Sequence, residues 1–332
     1  MSFISIRASA QNMKKNLFAL SLLITSFLFS NASAQAFPTK TIKIISPTPV
    51  GSSSDMLARV LIDQIQKDSG TTWLVENHPG ALGTIAADMV ARAQPDGHTL
   101  HLSSVSTHAQ VPFLMKKVPY NVTKDFEHVA RLAVFEWLIV ANPGKGYDTI
   151  QDLVAAAKAA PGKLNFAYGT ASSLAGMAEF NKLAGIDAVG VAYKGQPPAL
   201  TDIAGGRIDY MLVDVNVSAA LILSKKLKPL AVSSPIRAPL LPDVPTMPEA
   251  QFPGFEFIGW VGLSAPAKTP ATAVQWISEQ VRRALANPEV IRRLTAAAIT
   301  PAYMSTTDFN VFIEQELARW GIRIPAAGIQ PE

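Results

Sequence analysis

The stretch Thr41-Ile42-Lys43-Ile44-Ile45-Ser46-Pro47-Thr48-Pro49-Val50-Gly51-Ser52-Ser53-Ser54-Asp55 passes from a β-rich run through a turn into a helix start. Residues 41–46 are rich in β-branched side chains, and 47–53 hold the prolines, glycine and serines of a turn. Ser54 and Asp55 open a helix that carries Met56, Leu57, Val60, Leu61 and Ile65 at helical spacing. Working outward, residues 73–77 read as a second strand, 84–93 as a second helix and 99–103 as a third strand. This β-α-β-α-β alternation implies a parallel sheet with helices on its faces, an α/β fold.

The middle of the chain repeats that grammar. A strand ends at Ile139-Val140-Ala141, and a helix over 149–159 is stopped by Pro161-Gly162. Strands over 164–168, 189–191 and 208–213 alternate with helices over 172–184 and 197–204, and Leu230-Ala231-Val232 closes the block. Residues 235–253 are proline-rich, but Leu240, Leu241, Val244 and Phe252 interleave the prolines, which suits an ordered covering loop. Residues 271–286, 288–297 and 306–321 read as helices, and no repeat of fixed period occurs. Two α/β blocks with a C-terminal return suggest two lobes joined by crossing strands. Ligands of such sheets bind beyond the carboxyl ends of the strands, here the loops after Ser46, Ser103, Tyr168 and Val213.

Length and composition agree. With 332 residues and 48% hydrophobic content the chain is too long for one ordinary core. Charged residues make up 16%, below the usual quarter, so extensive disorder is not expected. There is no cysteine, which excludes disulfides, thiolate zinc sites and cysteine nucleophiles. Lys14 and Lys15 precede an apolar run over 17–29 and an Ala34-Gln35-Ala36 ending, the pattern of a cleavable secretory signal over 1–36, with Met13 as the true start. That segment holds three of the 29 basic residues and none of the 25 acidic ones, so its removal leaves a net charge of only +1. A near-neutral, cysteine-free exported chain suits a bacterial periplasm, and no basic patch with interleaved aromatics points to nucleic acid.

The predicted loops are rich in hydroxyls. Thr48, Val50, Gly51, Ser52 and Ser53 lead into one helix N-terminus, where free amides and the helix dipole favour an anion. Asp55 beside them reads as a structural first-turn carboxylate. Ser104, Thr107 and His108 follow the third strand; His108 is a candidate donor to a carboxylate, although a lone histidine is more often a satisfied structural residue. Thr170, Ala171, Ser172 and Ser173 follow a strand of the second block, with small side chains that let a ligand approach the backbone. A plain helix cap, on Ser172 or Ser173, explains that last loop equally well. Taken together, the three loops suit a cleft that grips carboxylates through neutral donors, and their lack of arginine argues against tight phosphate recognition.

Catalytic signatures are missing. No Gly-x-Ser-x-Gly elbow, Walker loop or dinucleotide glycine motif occurs. The histidines are His78, His98, His101, His108 and His128, and none of their spacings makes a metal pair. No cofactor and no metal are expected.

The residues then become familiar in series. Glu76-Asn77-His78-Pro79-Gly80-Ala81-Leu82-Gly83, Pro95-Asp96-Gly97-His98-Thr99-Leu100, Tyr120 with Lys124-Asp125-Phe126, and Tyr193-Lys194-Gly195 with Pro198-Ala199-Leu200-Thr201-Asp202 come in order. Leu241-Pro242-Asp243-Val244-Pro245-Thr246, Trp260-Val261-Gly262 and Ala265-Pro266-Ala267-Lys268-Thr269-Pro270 follow. From about Phe37 to its end the chain resembles the Bug family, the TctC-like periplasmic solute-binding receptors of tripartite tricarboxylate transporters. The resemblance implies a two-lobed periplasmic-binding-protein fold (a type II Venus flytrap), with lobe 1 over 37–134 and 231–332 and lobe 2 over 135–230. It implies a monomeric receptor that is not an enzyme, holds a small organic carboxylate between the lobes, and passes it to one large and one small membrane subunit. One carboxylate would be gripped by loops 48–53 and 170–173, and Asp214 matches the family's aspartate at a second-lobe strand end. A di- or tricarboxylate is the expected ligand, with an aromatic acid as a further option. The runner-up role is a periplasmic sensor feeding a signalling partner; a hydrolase is a distant third.

This chain also departs from the family pattern. Pro49-Val50-Gly51-Ser52 stands where Pro-Pro-Gly-Gly is usual, Thr48 replaces a frequent aromatic, and Val215 replaces an asparagine after Asp214. The ligand therefore cannot be copied from a relative. Phe135 and Trp137 lie near the expected hinge, where packing is the simpler role and stacking on an aromatic acid the sharper one.

Overall fold

Ile42, Ile44 and Ile45 are all buried in strand β1 (Ile42–Ser46), so the strand is covered on both faces, as strands of parallel sheets are. The computed structural model describes residues 37–331; the expected signal segment lies outside them. The unit described below begins at Lys40, and the short segment Phe37–Thr39 is not part of it.

Helix α1 (Ser53–Ser69) starts where Ser52 accepts a hydrogen bond from the Asp55 amide and ends at Gly70 in the left-handed conformation. Strand β2 (Trp73–Asn77), helix α2 (Thr84–Ala91) and strand β3 (Thr99–Ser104) complete the first block, and β1 pairs in parallel with both β2 and β3. A π-helical turn over Ser106–Gln110 then runs into the short helix α3 (Val111–Leu114). Strand β4 (Phe126–Ala141) is 16 residues long.

The second block holds α4 (Ile150–Ala159), β5 (Asn165–Tyr168), α5 (Ala171–Ala184), β6 (Val189–Ala192), α6 (Gln196–Ala204), β7 (Tyr210–Asp214), α7 (Val215–Leu223) and β8 (Lys228–Val232). The return consists of β9 (Ile258–Pro266), α8 (Ala271–Ala286), α9 (Pro288–Ala296), β10 (Ile299–Met304) and α10 (Thr306–Ala326). Among the described residues no helix is long and apolar enough to cross a membrane.

Strand order is β2-β1-β3-β9-β4-β7-β5-β6, with β8 and β10 also paired to β4. Strand β4 is shared between two half-sheets. Its Phe126–Glu136 part runs antiparallel to β9, whereas Trp137–Ala141 runs antiparallel to β7. The change of partner falls between the pairs Glu136↔Ile258 and Trp137↔Asp214.

Four elements differ from the sequence reading. Strand β9 carries Gly259, Gly262 and Pro266, which hide a strand pattern, yet it is buried along nearly its whole length between β3 and β4. Strand β10 contains Pro301 and pairs only with β4, the edge placement that proline requires. Helix α7 begins with Val215 and no side-chain cap to signal its start, and the sequence reading assigns no element there. Thr170, rather than Ser172 or Ser173, caps α5, in a reciprocal box with Ser173. The proline-rich stretch is an ordered cover, as expected. Its Ala238, Leu241 and Val244 pack with Ile203, Val213 and Val232 in the core of the second half-sheet, so by its contacts it belongs there rather than with the first block.

Candidate functional site

The loops after β1, β3, β5 and β7, all at strand carboxyl ends, reach one cavity of about 70 Å³. At roughly 10–15 Å³ per water-sized body this has room for about five to seven of them, the scale of a small organic acid.

Hydroxyls in the first loop form a relay. Ser46 Oγ lies 3.1 Å from Thr48 Oγ1, which lies 2.7 Å from Ser52 Oγ, which accepts from the Asp55 amide at 3.2 Å. Asp55 is buried and accepts from Gly51 N at 3.1 Å, Asn77 Nδ2 at 2.9 Å and Arg59 Nε at 3.0 Å. Burial alone would raise its pKa; the bonds from Arg59, Asn77 and Gly51 outweigh it and hold the carboxyl below its ordinary range. Asp55 is thus the structural clasp of the loop, and the Ser53 and Ser54 amides of the first turn have no intrahelical acceptor.

In the second loop Thr107 turns its hydroxyl toward three groups, His108 Nδ1 at 3.1 Å, Ser104 N at 3.2 Å and His101 Nε2 at 3.3 Å. The π-helical turn brings Ser106 and Thr107 to the cavity, and its fifth residue Gln110 accepts from Ser172 Oγ at 2.7 Å. In the third loop the Ala171 amide donates to Ser106 Oγ at 3.0 Å. Gly195, at φ +119°, follows β6 where a β-carbon would come within 2.6 Å of the Pro49 ring. Glycine is required there both by conformation and by space.

Seven of the thirteen expected residues line the cavity: Thr48, Ser52, Ser104, Thr107, Thr170, Ser172 and Asp214. The other six do not. Val50 and Gly51 are exposed at the loop tip, because the turn that caps α1 points them outward. Ser53 is fully buried and donates to Asn216 Oδ1 at 3.3 Å. Ala171 is buried with its amide already bonded, so bulk there would overpack the helix start rather than block a ligand. Ser173 is spent in the capping box. His108 is fully buried behind Thr107, 5.3 Å from the His101 ring, 5.4 Å from His128 and 4.7 Å from Phe126 between ring centres. Burial pushes His101 down to about 3 and His128 to about 4, and His108 well below its ordinary value, so the cluster is neutral at pH 7 and offers an anion no positive charge.

Among the described residues lining the cavity only Lys194 and Asp214 are charged. Lys194 is exposed, whereas Asp214 is buried. Burial raises the Asp214 carboxyl to about 6, against the opposing bonds from Ser53 and Gln196. Of the rest of the lining that sequence reading missed, Ser54, Ser106, Tyr193 and Gln196 are polar and the others are apolar or glycine, Pro47, Pro49, Pro79, Leu82, Val105, Phe135, Trp137, Gly259, Trp260 and Val261 among them.

Comparison with known proteins completes the picture. The tripartite tricarboxylate transporter family receptor family (TctC) matches residues 57–329. The chain belongs to that family. Protein BugT of Bordetella pertussis is similar to this receptor at 32% identity over 313 residues, 93% of this chain and 96% of BugT. Among solved structures, R. palustris Rpa4515 with adipate aligns at a TM-score of 0.86 and 28% identity, covering 89% of the receptor and all of that chain. MatC (Rpa3494) from Rhodopseudomonas palustris with bound malate aligns at 0.82 and 31% identity, covering 87% and 100%. The two half-sheets sharing β4 are accordingly the two-lobed periplasmic-binding-protein fold, and the family is one of solute-binding receptors rather than enzymes.

The missed lining had a partial signal. Tyr193-Lys194-Gly195 and Trp260-Val261-Gly262 are family markers, and both stretches reach the cavity. Phe135 and Trp137, for which packing was the simpler expectation, also face it, because β4 changes partner beside them.

Proposed function

We propose that this receptor captures a small organic carboxylate in the periplasm and delivers it to the large and small membrane subunits of a tripartite transporter. The observation that carries the reading is the convergence of three hydroxyl-bearing strand-to-helix loops on one small cavity. Helix starts and hydroxyl donors suit a carboxylate, and the relatives solved with adipate and malate hold ligands of that chemistry. The lobes meet at β4 between Glu136 and Trp137, and the chain returns near Phe257, where Ser233 Oγ bonds both the Trp137 and Phe257 carbonyls at 3.0 and 2.6 Å. Thr48 and Ser52 act from one lobe and Thr170 with the backbone amide of Ser172 from the other, so a ligand that touches both sets favours the closed arrangement. Residues 1–36 act as the export signal, and the receptor works as a monomer.

A thermal-shift screen over mono-, di- and tricarboxylates, aromatic acids and neutral sugars tests this reading. Ligand at one hundred times its Kd adds about 2.7 kcal/mol. Stabilisation by acids and not by sugars is the expected result; stabilisation by sugars alone refutes it.

A further inference from the structure

Strand β4 has two edges, and where it changes partner each edge carries a seam between the half-sheets. On one edge β8 ends at Val232, opposite Leu138, and β9 starts at Ile258, opposite Glu136. Ser233 closes this seam by bonding the Trp137 and Phe257 carbonyls. On the other edge β7 ends at Asp214, opposite Trp137, and β10 starts at Ile299, opposite Phe135.

That second seam is bridged by one carboxamide. Asn216, just past the end of β7, donates from Nδ2 to the Ala297 carbonyl at 2.6 Å, 81 positions along the chain and just ahead of β10. Its Oδ1 accepts from Ser53 Oγ at 3.3 Å, at the start of α1. A single side chain of the second block thus holds two segments of the first, using the amide's donor for one and its acceptor for the other. The corner that presents Ala297 is docked a second time. Ala298 takes the left-handed conformation at φ +53°, which a residue with a side chain holds only where its surroundings impose it, and it packs against the apolar core of the second half-sheet.

These bonds belong to a closed arrangement, in which the blocks also touch beside the cavity through Ala171 N and Ser106 Oγ and through Gly195 and the Pro49 ring. None of Asn216, Ser53 and Ala297 lines the cavity, so the bridge can influence binding only through the angle between the lobes. Asn216 is half-buried, and when the lobes part water can replace its partners. Opening therefore leaves its amide paired, and the bridge is reversible.

We propose that Asn216 is a positioning residue for ligand capture: it pins the seam between β7 and β10 and favours the closed arrangement without touching the ligand. The inference rests on closure between the two lobes and not on the chemistry of what binds.

The chain has no cysteine, so spin labels at Asp68→Cys and Ala155→Cys, exposed positions on α1 and α4, report the distance between the blocks. Pulsed dipolar spectroscopy on protein expressed from the full chain, with no acid added, should show a closed component. Asn216→Ala, and Asn216→Asp, which keeps the size but loses the donor, should each reduce that component. A reduction of about threefold should weaken affinity for a bound acid by the same factor, because apparent Kd varies inversely with the competent fraction. A parent with no closed component overturns the pin, as do folded variants that keep the parental distances while losing stability in urea. Unchanged affinity in a variant that opens also overturns it. If no acid binds, the carboxylate reading fails while the distances still decide the pin. Because the parent must itself show the closed component, a variant that misfolds does not remove the test.

Discussion

Gly259 lies so close against Trp137 that a β-carbon on it would come within 2.6 Å of the indole Nε1. The two residues belong to neighbouring stretches of β9 and β4 where β4 changes partner, so one small residue sets where the indole points. Gly259→Ala is expected to push the ring into the cavity. Overpacking of this kind lowers stability by about 1–3 kcal/mol. Ligand affinity should fall at least about tenfold, more than the stability loss explains in a protein that is still folded. Urea unfolding and calorimetry on the same preparation separate the two effects; parental affinity would show that the ring's position does not matter for binding.

Asp214 gives a second prediction. Its pKa is raised from 3.8 to about 6, so the folded protein holds a proton that the unfolded chain has released between those values. Stability from this group is therefore present below about 3.8 and is lost as pH rises through about 6. At neutral pH the ionised carboxylate is a burden on the empty receptor, and Asp214→Asn should raise unfolding stability by roughly 1–3 kcal/mol while weakening ligand binding. The gain should be larger at pH 8 than at pH 4. A variant less stable than the parent at both values would contradict the assignment of an unpaired buried charge.

The histidine cluster behind Thr107 works in the opposite sense. His101 and His128 titrate at about 3 and about 4 when folded, because burial disfavours their charged forms, against about 6.5 when unfolded. The unfolded chain binds the extra protons, so stability is intact above about 6.5 and is lost as pH falls below it. Each histidine contributes a slope of about 1.4 kcal/mol per pH unit in that window, and Asp214 offsets one of them below about 6. Urea midpoints measured between pH 7.5 and 5 should drop steeply, and His128→Phe should make the drop shallower. A flat profile would mean that the cluster is hydrated.

Ser52 joins the hydroxyl relay to the helix cap. Ser52→Ala removes the acceptor of the Asp55 amide and the partner of Thr48 Oγ1 together. Loss of an N-cap costs about 0.5–2 kcal/mol, typically about 1. A similar modest loss is expected in ligand affinity, since the backbone donors of the first turn remain. Thermal unfolding and titration of this variant check both; an unchanged melting temperature would place the cap elsewhere.

Much of this was legible from residue order. The alternation around β1, β2 and β3 is explicit, as is the second block from α4 to β7, because periodic apolar positions and turn residues punctuate each element. The location of the cavity followed from strand polarity, and Asp55 was readable as structural from its first-turn position. Strands β9 and β10 were hidden because glycine and proline occupy positions that only tertiary pairing explains. Within the site, hydroxyl types marked the loops but not the direction in which each side chain points: Ser52 faces the cavity while Ser53, one residue on, faces Asn216. The missed lining at Phe135, Trp137 and Gly259 depends on which strand β4 pairs with at each residue, a long-range register that local pattern does not encode.

The most direct test of the account is calorimetric titration of the receptor with a bound acid identified in the screen and, side by side, with its methyl ester. Esterification keeps shape and apolar surface but removes the negative charge that the helix starts and the hydroxyls of Thr48, Ser52 and Thr170 are proposed to hold. The account predicts binding of the acid and loss of at least about a hundredfold in affinity for the ester, as expected when charge-assisted hydrogen bonds worth about 1.5–3 kcal/mol each are removed. An ester that binds as tightly as its acid would contradict it.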